Sequence, residues 1–277
     1  MFARYCSAQR GDPVGAELLL RFIIWLRRAA GADSALRLDI RGMPAFVDLN
    51  DPRFLAIPGE LTTGLPRVLK TFLRPGDTFV DVGSNHGSFA ITAAPLVGPG
   101  GLVVAIEPQA RLADLIRRSL ELYGIRFVVH NVACGDSAGT ARLYVPDATS
   151  GSGGLHPSNS AVSRHRATIV PLVRLDDLLL TERLPGHVFV KLDVEGGEAG
   201  CLAGARDFLA SARPAILMEI NPSALEAAGS STAALTTLLH ECGYDRYLGG
   251  RDLDREHPLT DRIISFNIVA LHGSRIR

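Results

Sequence analysis

Along this chain the apolar residues change period again and again, and the changes mark out elements. In "TFVDVG", Thr78, Val80 and Val82 alternate with Phe79 and Asp81, the two-residue period of a strand. A turn bracketed by Gly83 and Gly87 follows, and Ser88 then stands as helix N-cap before an apolar-periodic run. The same alternation of patterns continues downstream. Strand "LVVAIEP" leads into helix "RLADLIRRSLELYG", and "RFVVHNVACG" reads as a third strand. "TARLYV" is an extra strand, followed by a Gly/Ser-rich polar stretch over 146–166 whose length marks it as functional or disordered. Regularity returns with "TIVPLVRLDDLLL", strand "HVFVKLDVEGG", a helix through Phe208 and strand "PAILMEINP". A single helix over 223–242 and a closing pair of strands around "YDRYL" and "IISFNIVALH" complete the chain. Upstream, "LRLDIRGMPAFVDLN" alternates on both sides of Gly42 as a hairpin, and "LPRVLKTFLRPGD" is a helix stopped by Pro75-Gly76.

Serial strand–helix units of this kind predict an α/β fold: a Rossmann-like, doubly wound, mostly parallel sheet with an antiparallel edge. An N-terminal helix and β-hairpin over 1–58 precede the main domain over 59–277. The helix "VGAELLLRFIIWLRRAAG" is too short and too interrupted, by Glu17 and Arg21, to span a membrane. It lacks the layout of a cleavable signal. Its amphipathic pattern suits packing on the domain, with an interfacial or homodimer role as the alternative.

Composition narrows the picture. The chain of 277 residues is 47% hydrophobic and 21% charged with zero formal net charge, an ordinary globular profile without the basic excess that nucleic acid or anionic lipid attracts. Lys70 and Lys191 are its only lysines, which reflects codon usage. Cys6, Cys134, Cys201 and Cys242 are widely spaced and form no C-x-x-C pair, so a reducing cytoplasm is the expected setting.

The chemistry is expected at the carboxyl ends of the strands. There the sequence places Asp81, the Gly83–Gly87 turn, Glu107-Pro108, Asn131, Asp136, Asp193, Glu195, Glu198, Glu219 and Asn221. Such an acidic rim repels a pyrophosphate and welcomes a cationic sulfonium carrying an ammonium group. Glu107, 24 residues after Gly83, is placed to accept both hydroxyls of a ribose, a geometry that dinucleotide and S-adenosylmethionine sites share. "DVGSNHG" contains no G-x-G-x-x-G and has Asn85 where a phosphate loop prefers glycine, which favours the sulfonium over NAD.

"GDTFVDVGSNHGSFAI", "AIEPQ", "NVACGDSAGTARLYV", "VRLDDLL", "VKLDVEGGEAGCLAGA" and "RPAILMEINP" occur in the order and spacing of FkbM-type methyltransferases. The chain resembles that family over about residues 60–222, most specifically in "KLDVEGGE"; His86 and Gln109 depart mildly from its usual choices. The resemblance implies a Rossmann-like fold, S-adenosylmethionine as cofactor, and methyl transfer to a hydroxyl of a sugar, glycolipid or polyketide-type natural product. The alternatives are an N-methyltransferase or other transferase using the same pocket, and a catalytically silent cofactor-binding scaffold.

On that basis Gly83, Ser84 and Gly87 let the backbone approach the methionine part of the cofactor, and Asp81 holds its ammonium directly or through water. Asn85 bonds its carboxylate or fixes the turn. Glu60 reaches the methionine end or is an ordinary helix-start acid. Glu107 and Pro108 take the ribose end. Val132 and Ala133 line the adenine slot, with Asp136 either near the exocyclic amine or a mere turn residue. Asp193 sits where donor and acceptor meet. The proton of an alcohol acceptor falls to a base among Asp193, Glu195, Glu198 and His86, with His156 and His165 next. Asp193, Glu219 and Asn221 are also a candidate Mg²⁺ set, which is disfavoured, so no metal ligand is assigned. Acceptor specificity is expected in the N-terminal helix and hairpin, the 146–167 loop and the 245–262 segment. The loop is expected to close over the site as a lid.

Overall fold

The computed structural model describes residues 34–62, 64–147, 150–156, 165–249, 253, 255–256 and 266–274. The expected N-terminal amphipathic helix, and with it the homodimer surface, lies outside the described residues. Among those residues no helix is long and apolar enough to cross a membrane.

The predicted hairpin is present. β1 (Ala35–Ile40) pairs antiparallel with β2 (Met43–Asp48). Arg41 and Gly42 between them both have positive φ, the two-residue turn whose twist matches that of the strands. The hairpin docks on the main domain: Ser119 Oγ accepts from the Phe46 amide, and the Arg118 guanidinium lies 4.3 Å from the centre of the Phe46 ring. Beyond it, α1 (Ile57–Thr62) and α2 (Gly64–Phe72) lead into the sheet. The boundary expected between residues 58 and 59 falls inside α1.

Five parallel strands form the centre, in the order β5 (Arg126–His130), β4 (Leu102–Ile106), β3 (Thr78–Val82), β9 (Val188–Leu192), β10 (Ala215–Ile220). The antiparallel strands gather on one side. β13 (Phe266–His272) runs against both β10 and β11 (Tyr244–Gly249), and the short β12 (Arg255–Glu256) closes that side against β11. The chain winds outward from β3 to β5 and returns to β9 beside β3. The order of the strands therefore reverses between β3 and β9, where open α/β sheets place their ligands.

β3, β4 and β9 are buried along their whole length, because helices cover both faces. Val80, Val104, Ile106, Val190 and Leu192 point to one face, against α5 (Leu175–Leu179), α6 (Glu198–Ala203), α7 (Arg206–Ala212) and α9 (Thr232–Glu241). Phe79, Val103, Ala105 and Phe189 point to the other, against α3 (Ser88–Val97) and α4 (Ala110–Leu120). The same parity carries Asp81, Lys191 and Asp193 to the α3 face.

The structure alters three local expectations. The helix expected to run through Phe208 is two helices, α6 and α7, which part at Gly204-Ala205. The helix expected over 223–242 is likewise α8 (Pro222–Ala227) and α9. Gly229 between them has φ 75°, and the Ser231 side chain accepts from the Ala234 amide to start α9. Ser88 is the first residue of α3 and Gly87 its N-cap; the Ser88 hydroxyl donates to Glu60 instead. The extra strand is β7 (Gly139–Pro146), which joins β8 (His165–Val173) and β6 (Ala133–Cys134) in a separate three-stranded sheet beside the cavity described next.

Candidate functional site

At the strand reversal a cavity of about 300 Å³ opens, walled by the glycine turn, the ends of β4, β9 and β10, and Gly151, Gly153, Gly154 and Leu155. The volume is at the lower end of small-molecule sites.

The turn is held tightly. The Gly83 and Ser84 amides both donate to the Ile106 carbonyl, Ser84 Oγ donates to the Asp81 carbonyl, and the Gly87 amide donates to the Ser84 carbonyl. Gly83, Asn85 and Gly87 all take left-handed φ, at 74°, 52° and 80°. At Gly83 a Cβ would lie 2.0 Å from the Asp193 carbonyl oxygen, so the turn packs against the end of β9 at backbone distance.

Glu107 is 3% exposed and lines the cavity. One carboxylate oxygen accepts from the Asn85 amide at 2.7 Å and the other from the Gln109 amide at 2.9 Å. Burial pushes its pKa up, and these two amides work against the shift. Asn131 donates to the Glu107 and Pro108 carbonyls and so fixes the strand end. Pro108, Val132, Ala133, Leu143 and Leu155 give the cavity an apolar wall.

Asp81 is placed differently from expectation. Its carboxylate is fully buried, accepts from the Ala90 amide and forms an ion pair with Lys191 at 3.5 Å; it is not among the cavity-lining residues. Direct contact between Asp81 and a ligand ammonium is therefore corrected to an internal ion pair. Asp193 does face the cavity, its side chain one-third exposed and 3.4 Å from Lys191.

Glu195 follows on a left-handed backbone, φ 56°. Burial, then the nearby carboxylates of Asp193, Glu219 and Glu198, push its pKa up to about 7. Glu195 and Glu219 both line the cavity. Glu198 is occupied elsewhere: one of its oxygens accepts from the Val194 and Gly196 amides and closes the 194–197 turn. That removes it from the candidate bases. Asn221 is likewise committed, as N-cap of α8 accepting from the Ala224 amide, and so drops out of the disfavoured Asp193–Glu219–Asn221 set. Among the described residues no group of three or more His, Cys, Asp and Glu is disposed to hold a metal ion.

His86 is buried in the cavity wall, Nε2 lying 3.2 Å from Asp51 Oδ2. Burial opposes ionisation of Asp51, yet the contacts from His86, Ser150 and Arg53 outweigh it and hold the carboxyl well below the usual range. Glu60 also lines the cavity, where it accepts from Ser88 Oγ and pairs with Arg53. Asn85 Nδ2 donates to the Ser150 carbonyl at 3.0 Å, and the Tyr144 and Gly154 backbones exchange two hydrogen bonds. These bonds bring 150–155 across the cavity. Asp136 is an exposed turn residue accepting from Ser137, and neither His156 nor His165 lines the cavity.

The structure thus brings together Glu60, Gly83, Ser84, Asn85, His86, Glu107, Pro108, Val132, Ala133, Asp193 and Glu195. Gly87 stands behind them as the N-cap of α3. Sequence reasoning missed Lys191, and also Asp51 and Arg53, which the hairpin appendage supplies. An available signal for Lys191 was a lone cation inside the otherwise apolar strand "VFVKL".

A mostly parallel sheet with a glycine turn after β3 and a buried acid at the end of β4 is a Rossmann-like arrangement. The family model for the FkbM methyltransferase domain matches residues 81–246, and the chain belongs to that family. It is similar to 31-O-demethyl-FK506 methyltransferase FkbM of Streptomyces tacrolimicus, 30% identical over 162 residues, which cover 49% of this chain and 62% of the relative. It is also similar to protein-L-isoaspartate O-methyltransferase of Aeropyrum pernix, 41% identical over 164 residues, covering 52% of this chain and 60% of the relative. The chain thus spans about six tenths of the length of these curated relatives. Among solved structures it resembles methyltransferase FkbM from Methylobacillus flagellatus KT, at 18% identity and TM-score 0.44, over 79% of this chain and 53% of that one. A SAM-dependent methyltransferase from Aquifex aeolicus aligns at 16% identity and TM-score 0.42, over 80% of this chain and 94% of the other.

Proposed function

We propose that the chain is an S-adenosylmethionine-dependent O-methyltransferase acting on a hydroxyl of a sugar, glycolipid or other natural product. The observation that carries this reading is Glu107, a buried carboxylate oriented by two backbone amides and facing a cavity beside a glycine turn.

The residues present fit such a cofactor. Two buried polar atoms of the turn, Asn85 Oδ1 and His86 Nδ1, lack a partner among the described residues, and a buried polar group without a partner is costly. Glu107 and Pro108 would take the ribose, Val132 and Ala133 the adenine, and the turn from Gly83 to Gly87 with Glu60 the methionine end. The surrounding carboxylates suit the cofactor's positive charges. When bound, S-adenosylmethionine supplies a methyl group bearing a good leaving group. The protein's share is to hold the acceptor and receive its proton. Glu195 is the preferred base, since a carboxylate with pKa about 7 is half ionised near neutrality and binds a proton usefully there. Asp193 stands beside it in the cavity; His86, tied to Asp51, orients the turn. The proposal invokes no divalent metal, because Asn221 is spent on capping α8. It includes the division into an appendage over 1–58, which lends Asp51 and Arg53, and a methyltransferase domain over 59–277.

The Aeropyrum relative is named for a carboxylate acceptor, which makes carboxyl methylation the second reading. A carboxylate needs no base and is repelled by Asp193, Glu195 and Glu219, so the acidic rim favours a neutral hydroxyl. Isothermal titration of the folded protein with S-adenosylmethionine tests the core of the proposal: no heat of binding refutes it. Transfer of a labelled methyl group to neutral alcohols but not to isoaspartyl peptides separates the two acceptors.

A further inference from the structure

Lys191 is 5% exposed, one of two lysines in the chain, and the proposed function gives it no role. Strand β9 pairs it in register with Asp81 of β3, and two residues further along the same face stands Asp193. Its ammonium donates to the Gly83 carbonyl at 2.6 Å and forms ion pairs with the Asp193 carboxylate at 3.4 Å and the Asp81 carboxylate at 3.5 Å. The ring of Phe89, a cavity-lining residue, is centred 5.5 Å away.

We propose that Lys191 is a positioning residue for the cofactor, its ammonium fixing the Gly83 carbonyl and the Asp193 carboxylate in the arrangement that receives S-adenosylmethionine. The inference rests on the cofactor reading given above. A lysine serving only to neutralise buried Asp81 would need no contact with the glycine turn, yet its shortest bond is to that turn. It would also have no reason to reach Asp193, the one partner whose side chain opens into the cavity. Of the two carboxylates that the ammonium pairs with, Asp193 is the one that lines the cavity. Burial disfavours the ammonium, but Asp193 and Asp81 outweigh it and raise its pKa, so the cation persists across the physiological range.

Because Lys70 is exposed and is the only other lysine, protein labelled with [ε-¹³C]lysine gives two signals, and a Lys70→Arg variant assigns them. Titration with S-adenosylmethionine is expected to shift the Lys191 signal with the midpoint measured by calorimetry and to leave the Lys70 signal in place. Calorimetric binding with an unmoved Lys191 signal overturns the proposal while sparing the cofactor reading. No heat and no shift overturns the reading and the proposal together. A second arm uses the charge-neutral pair Asp81→Asn/Lys191→Met. A positioning role predicts a folded protein whose Kd for S-adenosylmethionine rises at least about tenfold, the loss of roughly one charge-assisted hydrogen bond. A mere countercharge role predicts an unchanged Kd, and that result also overturns the proposal. If this variant does not fold, the lysine signals decide alone.

Discussion

Replacing Glu107 by glutamine keeps its size and removes its charge. In the native site each carboxylate oxygen accepts one backbone N–H, from Asn85 and from Gln109, and the group is buried. A glutamine can satisfy one of those amides through its oxygen but turns an NH₂ donor toward the other. Leaving one buried amide unsatisfied costs about 1–3 kcal/mol. The remaining bond also changes from charge-assisted to neutral, a further loss of about 1 kcal/mol. The sum, roughly 2–4 kcal/mol, lies within the total stability of about 5–15 kcal/mol usual for a domain, so the variant should fold with a lowered melting temperature. Glu107→Ala strands both amides, which makes glutamine the more informative change. Against S-adenosylmethionine the variant loses one charged acceptor for the ribose hydroxyls. At about 1.5–3 kcal/mol this is a rise in Kd of roughly 10- to 150-fold. Circular dichroism establishes the fold, and calorimetry reads the affinity. A folded Glu107→Gln protein whose Kd stays within twofold of wild type would refute the assignment of Glu107 to the ribose.

Three further outcomes follow from the site. Glu195 must be deprotonated to act as base, and burial with its carboxylate neighbours holds its pKa at about 7, so kcat/KM should rise with pH through that value. In Glu195→Gln this limb should vanish and turnover fall by about 10²- to 10⁴-fold, whereas an unchanged pH profile excludes the residue. Gly83→Ala forces a left-handed backbone on alanine and drives its Cβ into the Asp193 carbonyl, at a cost of about 2 kcal/mol or more. The melting temperature should then drop by about 4–8 °C or more, and a melting curve superimposable on wild type disproves the close approach. Exchange of residues 149–160 for a short Gly/Ser linker removes Ser150 from Asn85 and Gly154 from Tyr144. If this segment excludes water as a lid, turnover falls far more than cofactor affinity changes; a parental rate makes it a plain connection.

What could be read from the sequence was what depends on neighbours along the chain. The strand period of "TFVDVG", the glycine turn and the acid closing "AIEP" are local patterns, and in the structure the turn and Glu107 line one cavity. The hairpin at Gly42 was legible for the same reason, since the two-residue period runs on both sides of that glycine. Asp81 shows the limit. Its place in an alternating strand tells which face it takes, but not that Lys191, 110 residues away, lies beside it in register. From sequence a strand-end acid with no visible partner looks like a ligand for a cation, and the protein had supplied the cation itself. Glu198, one of several candidate bases, and Asn221, a member of the disfavoured Mg²⁺ set, illustrate the complementary limit: Glu198 accepts from the Val194 and Gly196 amides and Asn221, before Pro222, caps α8, a cap that local reasoning could have recognised. With those two spent on backbone amides, the acids that line the cavity are Glu60, Glu107, Asp193, Glu195 and Glu219, and Lys191 lines it with them. Partial burial of Glu195, and then the nearby carboxylates of Asp193, Glu219 and Glu198, raise its pKa toward neutrality. A rim of fully solvated acids would attract a cation and nothing more; under the proposed function, a rim thinned and partly buried attracts the cation and keeps one carboxylate able to take a proton.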